Sequence, residues 1–233
     1  MKTNKKAARL AGALYLLYLI LTIVASKVLL ASSSLNGDVA TTATNIMASA
    51  GQFRLGIVVD LVAALFFFLA AWALYVLLKP TNGPLALLFL LLHLGGDAVW
   101  CLSSLNLFAA LLSANGVDYL QVFAADQLQA LTMLFLNLRD TGNWIAQLFY
   151  GAWLLPLGYL VFKSRILPRA LGILLMIHCG VWLLTFAQKL LLPGADAITS
   201  VSYPLGFIAE FALTLWLLVM GAREPQPAAV EVD

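Results

Sequence analysis

The sequence predicts an all-α polytopic membrane bundle: six transmembrane helices, with two interfacial helices on the outer side. Three observations carry that expectation. Only 10% of the 233 residues are charged while 63% are hydrophobic, and mean hydropathy is +0.96, whereas a soluble domain needs a charged surface. Six apolar runs, at 9–31, 54–78, 85–112, 142–162, 168–191 and 204–221, are close to or above the ~20 residues that cross a hydrocarbon core about 30 Å thick. Short turn-forming stretches, "KPTNGP" and "KSRILPR", join the second run to the third and the fourth to the fifth. The runs are called spans one to six here, and they define a single membrane domain over 1–222. The polar tail 223–233, "REPQPAAVEVD", reads as a disordered cytoplasmic extension.

Span one begins after "KTNKKAARL" and ends near "VAS", a pattern shared with signal peptides. Its apolar run exceeds the usual signal length and continues through Leu29 and Leu30, so retention as a membrane helix is expected. The connections before spans two and four are more than loops. "GDVATTATNIMASAGQ" opens on Asp38, a capping residue, and "AADQLQALTMLFLNLR" spaces Leu128, Leu131, Leu134 and Leu136 as a helix would. These are the two interfacial helices.

Basic residues orient the chain. With both termini cytoplasmic, Lys2, Lys5, Lys6, Arg9, Lys79, Lys163, Arg165, Arg169 and Arg223 fall inside, and Lys27, Arg54, Arg139 and Lys189 fall outside. The net charge of +2 reflects this asymmetry, and no basic run is long enough to engage nucleic acid. Cys101 and Cys179 both lie within spans and are expected as free thiols packed like small hydrophobes.

A repeat is also legible. Tyr75, Lys79, Pro84, Ala86 and Leu87 recur at identical spacing as Tyr159, Lys163, Pro168, Ala170 and Leu171, and His93-Leu-Gly95 is echoed by His178-Cys-Gly180. The hairpin of spans two and three thus reads as repeated in parallel by spans four and five.

Residues at i, i+4, i+7 and i+11 share a helix face. On span three this stripe is His93, Asp97, Trp100, Cys101 and Ser104, and on span five it is His178, Trp182, Thr185 and Lys189. Span four presents Arg139 or Asp140, then Asn143, Gln147, and Tyr150 or Gly151; span six presents Tyr203, Glu210 and Thr214. Span one offers Tyr15, Tyr18, Thr22 and Ser26, and span two offers Asp60 two turns from Arg54. Polar faces in lipid must turn inward, and each buried charge costs at least ~2.5 kcal/mol at the bilayer centre. These groups therefore suggest a water-accessible, outward-facing pocket floored by Asp97 and His178. Its candidate ligand-binding residues are Arg54, Asp60, Asp97, Arg139, Asn143, Gln147, His178 and Glu210. The bland alternative is that the charges are paired and only hold helices in register.

His93, Asp97, His178 and Glu210 could also form a four-ligand metal set, which would permit an intramembrane hydrolase acting on lipid or peptide. No His-Glu-x-x-His motif supports it. Walker A, Rossmann and Gly-x-Ser-x-Gly patterns are lacking as well, and no cofactor is expected. Gly95-Gly96 lies inside span three, where it permits close helix contact or local unwinding.

Taken together, "KTNKKAARLAGALYLLYL", "FRLGIVVDL", "ADQLQAL", "IAQLFYGAWLLPLGYLVFKS" and "LPRALGILL" resemble a bacterial family known as domain of unknown function 4386. The likeness spans almost the whole chain. It implies a multi-helix integral protein of the bacterial cytoplasmic membrane and brings no activity with it. The family often places Asp-Leu-His before the glycine that opens span four, where this chain reads Asn137-Leu138-Arg139 before Gly142. The family's span three also need not carry His93 and Asp97, which favours Arg54, Asp60 and Gln147 as bearers of any shared function.

Three readings follow. The first is a membrane protein without enzymatic activity that binds or moves a small solute or cation through the pocket. The second is the intramembrane hydrolase. The third is a structural or regulatory partner of another membrane protein.

Overall fold

A computed structural model describes residues 2–33, 38–192, 194 and 198–223; the tail beyond Arg223 lies outside them. Seven α-helices make up the described chain: α1 (Lys2–Ser33), α2 (Val39–Ala48), α3 (Ala50–Leu78), α4 (Gly83–Asn115), α5 (Ala125–Ser164), α6 (Arg169–Leu191) and α7 (Thr199–Val219). A 3₁₀ turn, Asp118–Leu120, precedes α5, and no strand occurs among the described residues. All helices but α2 are long and apolar enough to span a bilayer. The chain is thus a multi-pass helical membrane protein.

Helix α2 is the first expected interfacial helix. The Asp38 carboxylate accepts a 2.7 Å hydrogen bond from the Thr41 amide, satisfying one of the orphan donors of a helix start. That bond holds the carboxyl below its ordinary range. The second expected interfacial helix is not separate, because α5 runs unbroken for 40 residues through Gly142. At ~1.5 Å per residue this is about 60 Å, twice a hydrocarbon core. Gly142 serves contact rather than a break: a β-carbon there would collide with the Ser103 hydroxyl of α4. Gly95-Gly96 likewise leaves α4 continuous, and Gly95 lies against the Phe149 ring.

The chain forms two compact units. Unit 1 comprises 1–16, 69–93 and 150–233, and unit 2 comprises 17–68 and 94–149. In unit 1, Gly158 and Gly172 bring α5 and α6 into backbone contact, with a built β-carbon on Gly172 only 2.5 Å from the Gly158 carbonyl. Gly12 does the same for α1 against the backbone of α7 at Leu218. Small residues at such crossings replace the hydrophobic drive that lipid cannot supply. In unit 2, Ile46 of α2 packs with Phe53 and Ile57 of α3, Leu107 and Leu111 of α4, and Leu136 of α5. The interfacial helix is therefore anchored in a core and not merely laid on lipid. The Ser49 hydroxyl ties its end to the Ser32 carbonyl at 2.9 Å.

The sequence repeat has a geometric counterpart in unit 1. Lys79 Nζ lies 5.6 Å from the Tyr75 ring centroid, and Lys163 Nζ lies 5.8 Å from that of Tyr159. The matching residues make matching cation–π contacts at the ends of α3 and α5.

Candidate functional site

The predicted site residues fall into both units, and the two groups differ in chemistry. In unit 2, Asp60 on α3 is 4% exposed. Its Oδ1 accepts from the Arg139 guanidinium of α5 at 3.1 Å, and its Oδ2 accepts from Trp100 Nε1 at 3.1 Å and from Ser104 Oγ at 2.8 Å. Trp100 and Ser104 stand one turn apart on α4, so a single carboxylate binds three helices together. The Tyr18 ring stacks on Phe67 at 3.8 Å and meets Trp100 edge-on at 6.4 Å, which walls the cluster with aromatic surface.

Asp97 lies one turn before Trp100 on α4 and is 6% exposed. The other predicted residues of this unit are more peripheral. Arg54 is exposed, Asn143 and Gln147 are partly buried, and Asp140 is exposed at 3.9 Å from Arg139. Cys101, expected to be packed, is exposed, while Cys179 is buried and both are free thiols.

In unit 1, the His93 ring is fully buried, 4.5 Å from Trp153 and 5.8 Å from Tyr150. His178 on α6 is 2% exposed. Its ring meets Trp182 edge-on at 5.3 Å, and Trp182 in turn meets Tyr203 at 5.4 Å. Gly206 of α7 faces the imidazole so closely that a β-carbon there would stand 2.5 Å from Nε2. Among the described residues, neither ring nitrogen of His178 has a hydrogen-bond partner. One turn further along α7, Glu210 accepts a 3.0 Å hydrogen bond from the Tyr15 hydroxyl of α1.

One expectation needs correction. No group of three or more His, Cys, Asp or Glu side chains is placed to hold a metal ion among the described residues. His93, Asp97, His178 and Glu210 therefore do not converge as ligands, because a shared helix face does not bring side chains from different helices within the ~2 Å bonds that zinc requires. Asp97 falls in unit 2 and His178 in unit 1.

Sequence reasoning did not recognise four participants in these roles: Trp100 and Ser104 as donors to Asp60, Tyr15 as donor to Glu210, and Gly206 as the seat of His178. The first two carried a signal in the i, i+4 stripe of α4. Gly206 carried only its position one turn before Glu210.

The family model of the domain of unknown function 4386 matches residues 10–221. The chain belongs to that family. The match takes in every helix that carries a candidate residue, including both the Asp60 cluster and His178. No curated protein and no solved structure matches the chain. What this family member does must therefore be argued from its own side chains.

Proposed function

We propose that the protein binds, and carries through the membrane, a small amphipathic solute whose polar head bonds to His178. In this reading it resides in the bacterial cytoplasmic membrane with both termini cytoplasmic, consistent with nine basic residues on that side against four on the other. The observation that carries the proposal is the His178 imidazole, buried yet without a hydrogen-bond partner on either nitrogen among the described residues. A neutral imidazole offers one donor and one acceptor, and leaving such a group unsatisfied costs roughly 1–3 kcal/mol. A solute that satisfies both groups recovers that energy on binding.

The surroundings favour an amphipathic solute over a bare ion. Trp182 supplies an apolar edge beside the ring, and Glu210, held by Tyr15, offers a second polar group one turn along α7 from Gly206. Asp60 is a poor ligand candidate by the same reasoning. Its oxygens already accept three bonds, and a solute would have to displace Arg139, Trp100 or Ser104. The Asp60 cluster instead supports a structural role for buried charge within unit 2.

A thermal-shift screen of small amphipathic solutes on wild type and His178→Leu tests the proposal. At 100 times its Kd, a solute adds about 2.7 kcal/mol of stability. Wild type should gain that stability and His178→Leu should not, while the unliganded variant stays at least nearly as stable as wild type. A solute that stabilises both equally, or an unliganded variant that is severely destabilised, refutes the role given to His178.

A further inference from the structure

The end of unit 1 that carries the start of α1 and the end of α7 also carries the end of α3, the end of α5 and the start of α6. We infer that this end is a binding surface for the headgroups of anionic phospholipids. Arg9, Lys79, Lys163, Arg165, Arg169 and Arg223 are all exposed there. None of them forms an ion pair with a described residue, and the stretches 2–9, 79–83, 163–169 and 220–223 contain no Asp or Glu.

Contacts hold the cations of α1, α7 and the turn between α5 and α6 in one place. The Arg223 amide donates to the Ile166 carbonyl at 2.8 Å, which fastens the end of α7 to the turn between α5 and α6. The Arg9 guanidinium donates to the Val219 carbonyl at 3.3 Å and joins α1 to the same end. Arg165 sits in that turn with φ of 58°, a left-handed conformation unusual for a residue with a side chain. Arg169, the first residue of α6, opposes its own helix dipole, so stabilising the helix end does not account for its charge.

The apolar surroundings identify a lipid as the occupant. Lys79, Lys163, Arg169 and Arg223 lie over the rings of Tyr75, Tyr159, Phe162 and Trp216 at 5.4–5.8 Å. The amphipathic rings among them, Tyr75, Tyr159 and Trp216, are of the kind that marks the headgroup level of a bilayer. Large apolar side chains adjoin the cations: Val76 is 49% exposed one turn before Lys79, Ile173 is 45% exposed one turn after Arg169, and Val219 is 62% exposed beside the Arg223 segment. A rim of cations above exposed aliphatic surface matches a molecule with an anionic head and acyl chains. A soluble anion would have no use for the second feature.

The test compares the full chain in nanodiscs of phosphatidylcholine alone and of phosphatidylcholine with phosphatidylglycerol. It reads melting temperature, together with retained phosphatidylglycerol by native mass spectrometry. Wild type should melt several degrees higher in the anionic discs and retain phosphatidylglycerol. In Arg165→Gln/Arg169→Gln/Arg223→Gln, retention should weaken on the order of 100-fold, at roughly one order of magnitude or less per basic residue. Lys79→Gln/Lys163→Gln should show a smaller loss in the same direction, which keeps the test valid if the triple variant folds poorly. Lys27→Gln, an exposed charge in unit 2, should change nothing. Equal retention by wild type and both multiple variants overturns the inference. So does equal protection of wild type by inorganic phosphate in phosphatidylcholine discs, since the surface would then take free anions.

Discussion

Asp60 in unit 2 and His178 in unit 1 are both almost fully buried polar side chains on membrane-spanning helices, yet their surroundings are opposite. Asp60 accepts from three donors on two other helices, and among the described residues His178 has a hydrogen-bond partner on neither nitrogen. The difference separates a group whose burial is compensated by neighbouring side chains from one whose burial the described residues do not compensate. A satisfied carboxylate fixes helix positions. An unsatisfied imidazole costs stability, and under the proposed function a bound solute offsets that cost.

The sharpest way to break this contrast is at Asp60. Asp60→Leu leaves the Arg139 guanidinium without its carboxylate and is expected to destabilise the protein by about 3–5 kcal/mol, measured by unfolding in bicelles. Asp60→Leu/Arg139→Leu should recover most of that loss, since replacing a whole buried pair is often neutral. If the single variant is as stable as wild type, the cluster is not holding unit 2 together.

A smaller effect is expected where His178 meets α7. Gly206→Ala places a methyl group against the imidazole and should cost about 1–3 kcal/mol, as overpacking does. Combined with His178→Ala it should cost less than the two single changes added together, because the clash disappears with the ring. Full additivity in the same unfolding assay would mean that the ring does not rest on Gly206.

Tyr15→Phe removes the hydroxyl that Glu210 accepts. Its cost should be about 1 kcal/mol, within the range of hydrogen bonds between membrane helices. If Glu210 contributes to the solute site, the variant also weakens solute-dependent stabilisation more than its small stability loss accounts for. Equal solute response in Tyr15→Phe and wild type would confine the site to His178.

The smallest effect concerns α2. The Asp38 carboxyl is held below its ordinary value of 3.8 by its bond to the Thr41 amide. Its contribution to the cap is therefore fully present above that value and disappears as pH falls through the lowered one. Amide protection in the first turn of α2, corrected for intrinsic exchange, should hold steady down to mildly acidic pH and then drop. Asp38→Ala should show the reduced protection at every pH.

Much of this was legible in the sequence, residue by residue. Asp60, Asp97 and His178 were marked as buried because lipid forbids exposed charge within a span, and Asp38 was read as a cap from its place before an apolar-periodic stretch. The continuity of α5 was not legible, because Arg139, Asp140 and Gly142 look like a break until Asp60 and Ser103 are seen beside them. The metal set was misread for a related reason: periodicity places residues on faces and says nothing of which faces meet.

From the sequence alone came the six apolar spans, the membrane assignment and the burial of Asp60, His93, Asp97 and His178. These rest on length, composition and helical period, which are properties of single segments. Only the tertiary structure decided that Asp60 meets Arg139, 79 residues away, and that His178 meets the bare backbone of Gly206. Helix rotation and partner choice are set by close packing at glycines and by long-range hydrogen bonds, and both depend on a neighbouring helix that no single segment specifies.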